Sequence, residues 1–198
     1  MNNKMNKTKT TSIVIIATLV IIILSSLSWV KNSYNEMINL TSQVDTSFSA
    51  IQTQYQRRFD LIPNLAEATK GFLKQEQKVF GDIANARTHY AGTSTGSKEQ
   101  IEAMNEYNSA LSRLMVIMEN YPELKSNETV KNLMDELTGT ENRINVSRDR
   151  YNETARIYNV FIKSFPRNLI ANMFNFENKE LFKADETAQK AVQIKLTE

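Results

Sequence analysis

An apolar run near the start of this chain constrains it more than any other feature. Residues Ile13 to Val30 carry no charged side chain, and between Ile13 and Leu24 the only polar residue is Thr18. As a helix the run rises about 27 Å, against a hydrocarbon core of roughly 30 Å. It would place Ser12 and Trp29 near the two interfaces, where an indole ring is well accommodated. A cleaved signal peptide is the competing reading: the core from Ile13 to Leu24 has a suitable length, and Ser26 and Ser28 are small residues where a cut could follow. No Pro or Gly breaks the helix after Leu24, and apolar periodicity resumes at once, which favours an uncleaved anchor. The chain has no cysteine, so attachment through a lipid-modified cysteine is excluded.

Orientation follows from basic residues flanking the span. The tail carries Lys4, Lys7 and Lys9; beyond the span comes Lys31, then neither Lys nor Arg until Arg57. This asymmetry predicts a cytoplasmic tail and an extracytoplasmic C-terminal part. The formal charge is +2, but without the tail's three lysines the rest carries 21 basic against 22 acidic side chains, a net of −1. A nucleic-acid binder of this size needs a basic face, and this balance speaks against one. The absence of cysteine also removes disulfides and thiolate metal sites.

Five glycines and three prolines in 198 residues leave room for few breaks. Tyr34, Met37, Ile38, Val44, Phe48, Ile51, Tyr55, Phe59 and Ile62 recur at three- and four-residue steps and predict a long first helix that begins in the membrane. Pro63 interrupts it, so the chain either kinks there or starts a new helix with Pro63 in its first turn. A second helix carries Leu65, Phe72, Val79, Ile83, Ala86 and Tyr90, and ends in the small polar run 91–97. A third has Ile101, Met104, Leu111, Leu114, Met115 and Met118, ending at Tyr121-Pro122. A fourth has Val130, Leu133, Leu137, Ile144, Tyr151, Tyr158 and Ile162, ending before Pro166. The fold class is therefore all-α: an N-terminal transmembrane helix followed by an antiparallel bundle of about four long helices. From Asn168 onward a short helix packing back on the bundle is expected, followed by a loosely ordered tail. The resulting domains are a basic tail (1–12), a span (13–30), a bundle (31–182) and the C-terminal tail (183–198).

Three groups of residues resemble the LemA family of bacterial membrane-anchored helical proteins. Arg57-Arg58-Phe59-Asp60-Leu61-Ile62-Pro63-Asn64-Leu65 is similar to the family's signature near the first bend, and Tyr121-Pro122-Glu123-Leu124-Lys125-Ser126-Asn127 to a second motif. The longest match runs from Thr140-Glu141-Asn142-Arg143-Ile144 through Ser147-Arg148, Tyr151-Asn152 and Tyr158-Asn159 to Phe165-Pro166-Arg167-Asn168. The likeness covers roughly residues 30–182. It implies a short N-terminal tail, one transmembrane helix and a bundle of long helices, and it brings no established enzymatic activity. Where many relatives resemble His-Glu, this chain has Gln75-Glu76, so a function resting on that histidine could not operate here.

The polar residues inside these motifs are the candidate site: Arg58, Arg87, Glu141, Asn142, Arg148, Asn152 and Asn159. Glu141, Arg148, Asn152 and Asn159 are seven, four and seven apart, so they line one stripe of the fourth helix. Glu141 with one arginine could form a buried charge pair, and the asparagines could bridge helices. Such groups either set helix register or line a recognition groove.

Catalytic arrangements are sparse. His89 is the only histidine, beside the small polar loop, and the glycines at 71, 81, 92, 96 and 139 form no phosphate loop. A serine nucleophile would have only His89 as its imidazole base. Glu67, Glu76, Glu106 and Glu141 offer at most a weak oxygen site, without the Glu-x-x-His step of bundle metal centres. Met104, Met115 and Met118 read as core, and Tyr151 and Tyr158 as inward-facing rings with partnered hydroxyls. The residues therefore point to a non-catalytic interaction protein without metal or cofactor. Its expected partners are the bilayer, through the N-terminal helix, and a membrane or envelope protein or a further copy of itself. The alternative is a ligand receptor or enzyme with a polar site among Arg58, Arg87, Glu141 and Arg148.

Overall fold

The structure is a computed structural model and describes residues 2–72 and 76–183. The described residues are 85% helical, with no strand among them. The elements are α1 (Asn2–Thr69), α2 (Gln77–Ala91), α3 (Lys98–Glu119), α4 (Pro122–Ser126), α5 (Glu128–Lys163) and α6 (Arg167–Met173). The C-terminal tail expected over 183–198 lies, beyond Lys183, outside the described residues.

At Pro63 the helix neither ends nor restarts: α1 runs through it to Thr69. Proline removes the amide that would bond the Phe59 carbonyl, a cost of about 3 kcal/mol in a helix interior. Burial on both sides of the break, of Phe59, Leu61 and Ile62 before it and Leu65 and Thr69 after it, offsets that cost. Leu65 therefore belongs to the first helix, and Phe72 lies exposed in the turn that follows it. Ile38 is also exposed, one step off the buried face that Met37 and Leu40 define.

Helix ends follow local chemistry. The Ser97 hydroxyl accepts a hydrogen bond from the Gln100 amide (3.1 Å), while the Gln100 side-chain carbonyl accepts from the Gly96 amide (2.8 Å). This reciprocal cap starts α3. Gly96 has φ +72°, the left-handed backbone that glycine adopts without penalty. Pro122 stands at the start of α4, where its missing amide costs nothing, and Asn127 caps α5 through its side-chain oxygen.

The chain divides into two compact units. One comprises residues 1–43 and 157–178, the other residues 44–156 and 179–198. In the first, Ser33, Met37 and Leu40 of α1, Tyr158 and Ile162 of α5, and Ile170 and Ala171 of α6 are buried. The Phe176 amide bonds back to the Ala171 carbonyl (2.9 Å) past Asn175, whose φ is +56°. That is the six-to-one bond of a Schellman C-cap, with asparagine in the left-handed position. The turn sets both Phe174 and Phe176 edge-on to Tyr34, at 4.9 and 5.7 Å between ring centroids.

The second unit is a four-helix bundle of α1 beyond residue 44, α2, α3 and α5 up to residue 156. Contacts run from Arg57–Glu136 through Phe48–Tyr151 to Ser47–Thr154, so α1 and α5 are antiparallel. The pairs His89–Glu106 and Asp82–Arg113 show the same for α2 and α3. The core of this unit is aromatic: the rings of Tyr55, Phe59, Tyr90 and Tyr107 meet stacked, tilted or edge-on at centroid distances of 4.7–6.2 Å. After α6 the chain has no regular secondary structure, and Phe182 packs on Phe48 and Tyr151.

Candidate functional site

The buried face of α1 includes a series at seven-residue steps, Met37, Val44, Ile51, Arg58 and Leu65. An arginine thus stands where its periodic neighbours are apolar, and its side chain is only 1% exposed. Its hydrogen bonds are well distributed. The Arg58 Nε donates to the Thr140 hydroxyl (3.1 Å), Nη1 to the Asn108 carbonyl (2.9 Å) and Nη2 to Glu141 Oε2 (2.5 Å). Thr140 in turn donates to the Leu137 carbonyl (2.6 Å). Three helices are joined by one guanidinium. The ion pair is buried on the arginine side only, because the Glu141 side chain is 43% exposed.

Arg148 makes a second node. Its Nη2 donates to the Tyr55 hydroxyl (2.7 Å) and, at 3.3 Å, to Asn105. Its guanidinium lies 4.8 Å from the Phe182 ring centroid and 6.0 Å from that of Tyr55. Asn152 does not bridge helices. Its Nδ2 donates to the Phe182 carbonyl and its Oδ1 accepts from the Phe182 amide, both at 2.9 Å. With Tyr151 donating to the Glu180 carbonyl (2.8 Å), it ties the segment after α6 to α5. Side chains read as inter-helix bridges are here a backbone clamp, because a carboxamide matches the donor and acceptor of one residue.

The other candidates lie apart. Asn142 is exposed on α5, and Asn159 falls in the other compact unit. Arg87 is exposed, with its guanidinium 5.4 Å from the Phe59 ring centroid. It borders an apolar groove of about 520 Å³ lined by Phe59, Ile62, Phe80, Ile83 and Tyr107 among others. The Tyr107 hydroxyl is buried and has no hydrogen-bond partner among the described residues. Burial raises the phenol pKa of Tyr55 and Tyr107, and pushes that of Tyr151 up to about 12; Arg148 and Arg58 counter the effect at Tyr55.

The carboxylates considered as a cation site are dispersed: Glu67 pairs with Lys70, Glu106 with His89 and Glu141 with Arg58. His89 is half exposed. Asn108, Asn105 and the return of Phe182 escaped the reading of the sequence, and Thr140 entered it only as part of the longest motif, without a role. Thr140 and Asn108 carried one available signal, since each sits on a helix face that is otherwise buried.

Comparison with known proteins agrees with these motifs. The sequence profile of the LemA family matches residues 47–196. The two magnetosome proteins MamQ of Paramagnetospirillum magneticum are each 27% identical over 194 residues, which is 84% of this chain and 71% of theirs. Protein LemA of Metamycoplasma hominis is 22% identical over 152 residues, 77% of this chain and 69% of its own. With the family profile matched over most of its length, this chain belongs to the LemA family.

Proposed function

We propose that this protein is a non-catalytic, membrane-anchored interaction protein of the bacterial cell envelope. In this reading α1 crosses the bilayer once, with the N-terminal tail in the cytoplasm and the bundle outside. The bundle holds a membrane or envelope protein, or further copies of itself. The observation that carries the reading is how the polar motif residues are used: Arg58, Glu141, Arg148 and Asn152 bond to partners within the bundle and set its packing. The motifs then serve the shape of the surface and not a reaction. One helix is long and apolar enough to cross a membrane, which supports the anchor.

Crosslinking in intact membranes, followed by mass measurement in mild detergent, tests the reading. A complex heavier than the monomer is expected, weakened when residues 1–30 are removed. Recovery of monomer alone, without crosslinked neighbours, would overturn it. Topology is tested separately by protease added to spheroplasts and to inverted vesicles, with a tag after Glu198: cleavage is expected in spheroplasts only.

A second reading has one observation in its favour. Of the four residues named for a ligand site, Arg87 alone borders the groove, which joins apolar walls to an exposed cation and to the Tyr107 hydroxyl, unpaired among the described residues. Such a groove suits an apolar molecule with a single carboxylate. Thermal stabilisation of the protein by a medium-chain fatty acid, abolished by Arg87→Ala, would establish it; no shift across a range of chain lengths would remove it.

A further inference from the structure

Beyond Trp29 the described residues leave eleven large apolar side chains exposed, and six of them fall between Ile157 and Phe174. Within that stretch Leu169 and Met173, four apart on α6, are 59% and 75% exposed, and Phe165, in the turn before α6, is 81% exposed. The opposite side of α6 carries the buried Ile170 and Ala171, so the helix presents one apolar face to its own unit and another outward. A water-facing helix would show polar residues at those outward positions, and an outward apolar face marks a partner.

The compact unit that contains this face also contains the apolar span. Phe174 and Phe176 both contact Tyr34, which places the end of α6 beside that residue of α1. Tyr34 is four residues past Val30, a helix rise of about 6 Å. The polar headgroup layer of a bilayer is itself about 5–7 Å deep on each side. The end of α6, where Met173 and Phe174 stand, therefore lies at the depth where the headgroup layer would surround α1, and Leu169 is one turn before it on the same helix. Its neighbours suit that layer: Arg167 lies 4.2 Å from the centroid of Phe161, and Lys163 is exposed at the end of α5. Cations beside aromatic and aliphatic anchors are the composition of an interfacial membrane segment.

We propose that Phe165, Leu169 and Met173 form a second membrane contact, a shallow seat in the lipid interface beside the span. This rests on the reading of residues 13–30 as a transmembrane anchor and adds to it. The span holds the chain in the membrane; the seat would fix the angle and rotation of α1 there, as a single helix cannot do for itself. The occupant is the lipid interface, by continuity with the apolar surface of α1 in the same unit.

The chain has no cysteine, so single-cysteine variants can be labelled without background. The full-length protein is reconstituted in vesicles, and an environment-sensitive fluorophore is attached at Phe165→Cys, Leu169→Cys or Met173→Cys. Ile21→Cys reports the span, and Ser109→Cys an exposed polar position on α3. Lipids brominated near the headgroup end of the acyl chain are expected to quench the three seat positions several-fold more than Ser109→Cys. If iodide in the water quenches the seat as strongly as Ser109→Cys while lipid quenches Ile21→Cys, the seat is wrong and the anchor stands. If lipid fails to quench Ile21→Cys as well, both fall. Protection from lipid and iodide alike would mean a protein covers the face, and would equally overturn the proposal.

Discussion

Arg58 costs the bundle its solvation and returns it as register. A guanidinium taken out of water is strongly destabilising unless its donors are matched, and here the donors meet a hydroxyl, a carboxamide and a carboxylate. Arg58→Ala should destabilise the protein by about 3 kcal/mol, read by denaturant unfolding, because it opens a cavity and takes from Asn108, Thr140 and Glu141 the donors they accept from. Arg58→Met, which fills the space without the charge, should cost about 1 kcal/mol or less. Glu141→Gln should also cost less than about 1 kcal/mol, since that partner is partly in water and the amide oxygen still accepts a bond. A loss as large as that of Arg58→Ala would show the charge itself to be essential. For Arg148, Arg148→Ala should lower the melting temperature without changing the set of crosslinked partners. Retained stability with a lost partner would make Arg148 part of a recognition surface instead.

At the scale of elements, the segment after α6 depends on side chains of α5 for its place. The Asn152 amide satisfies both backbone groups of Phe182, and Tyr151 holds the Glu180 carbonyl. Removing Asn152 leaves two backbone groups without those partners while Phe182 still packs on Phe48 and Tyr151. Asn152→Ala should therefore speed hydrogen exchange at the Phe182 amide, with a loss of about 1–2 kcal/mol in local stability. An unchanged exchange rate would mean that ring packing alone secures the segment. The continuity of α1 through Pro63 belongs to this scale too, since the proline penalty is met by apolar side chains buried on both sides of it.

For the whole molecule, the phenols of Tyr55, Tyr107 and Tyr151 link stability to alkaline pH. Burial raises each above the ordinary value of 10.0, so the unfolded chain releases these protons before the folded one does. Their contribution is complete below about pH 10 and is lost as pH rises from there toward the folded values. Unfolding followed by circular dichroism should become easier above about pH 10, with tyrosinate absorbance appearing together with loss of helix. Tyrosinate forming well before any loss of helix would show these rings to be more accessible than their burial implies.

The apolar run, the three- and four-residue periodicity and the scarce breaks determined the all-α class, the single candidate span and the extents of α3 and α5. These are local properties, because helix period, capping and the effect of proline act within a few residues. Tertiary structure decided what the local signals left open. It carried α1 past Pro63, added α4 and exposed Ile38 and Phe72. It also chose which polar residues meet: Arg58 found Thr140 and Asn108 as well as Glu141, while Arg87 and Asn142 stayed at the surface. Those choices depend on the axial register between helices that are 50 to 83 residues apart in the chain at the Arg58 node. Register is set by side chains interlocking across the core, so it takes form only when the helices pack.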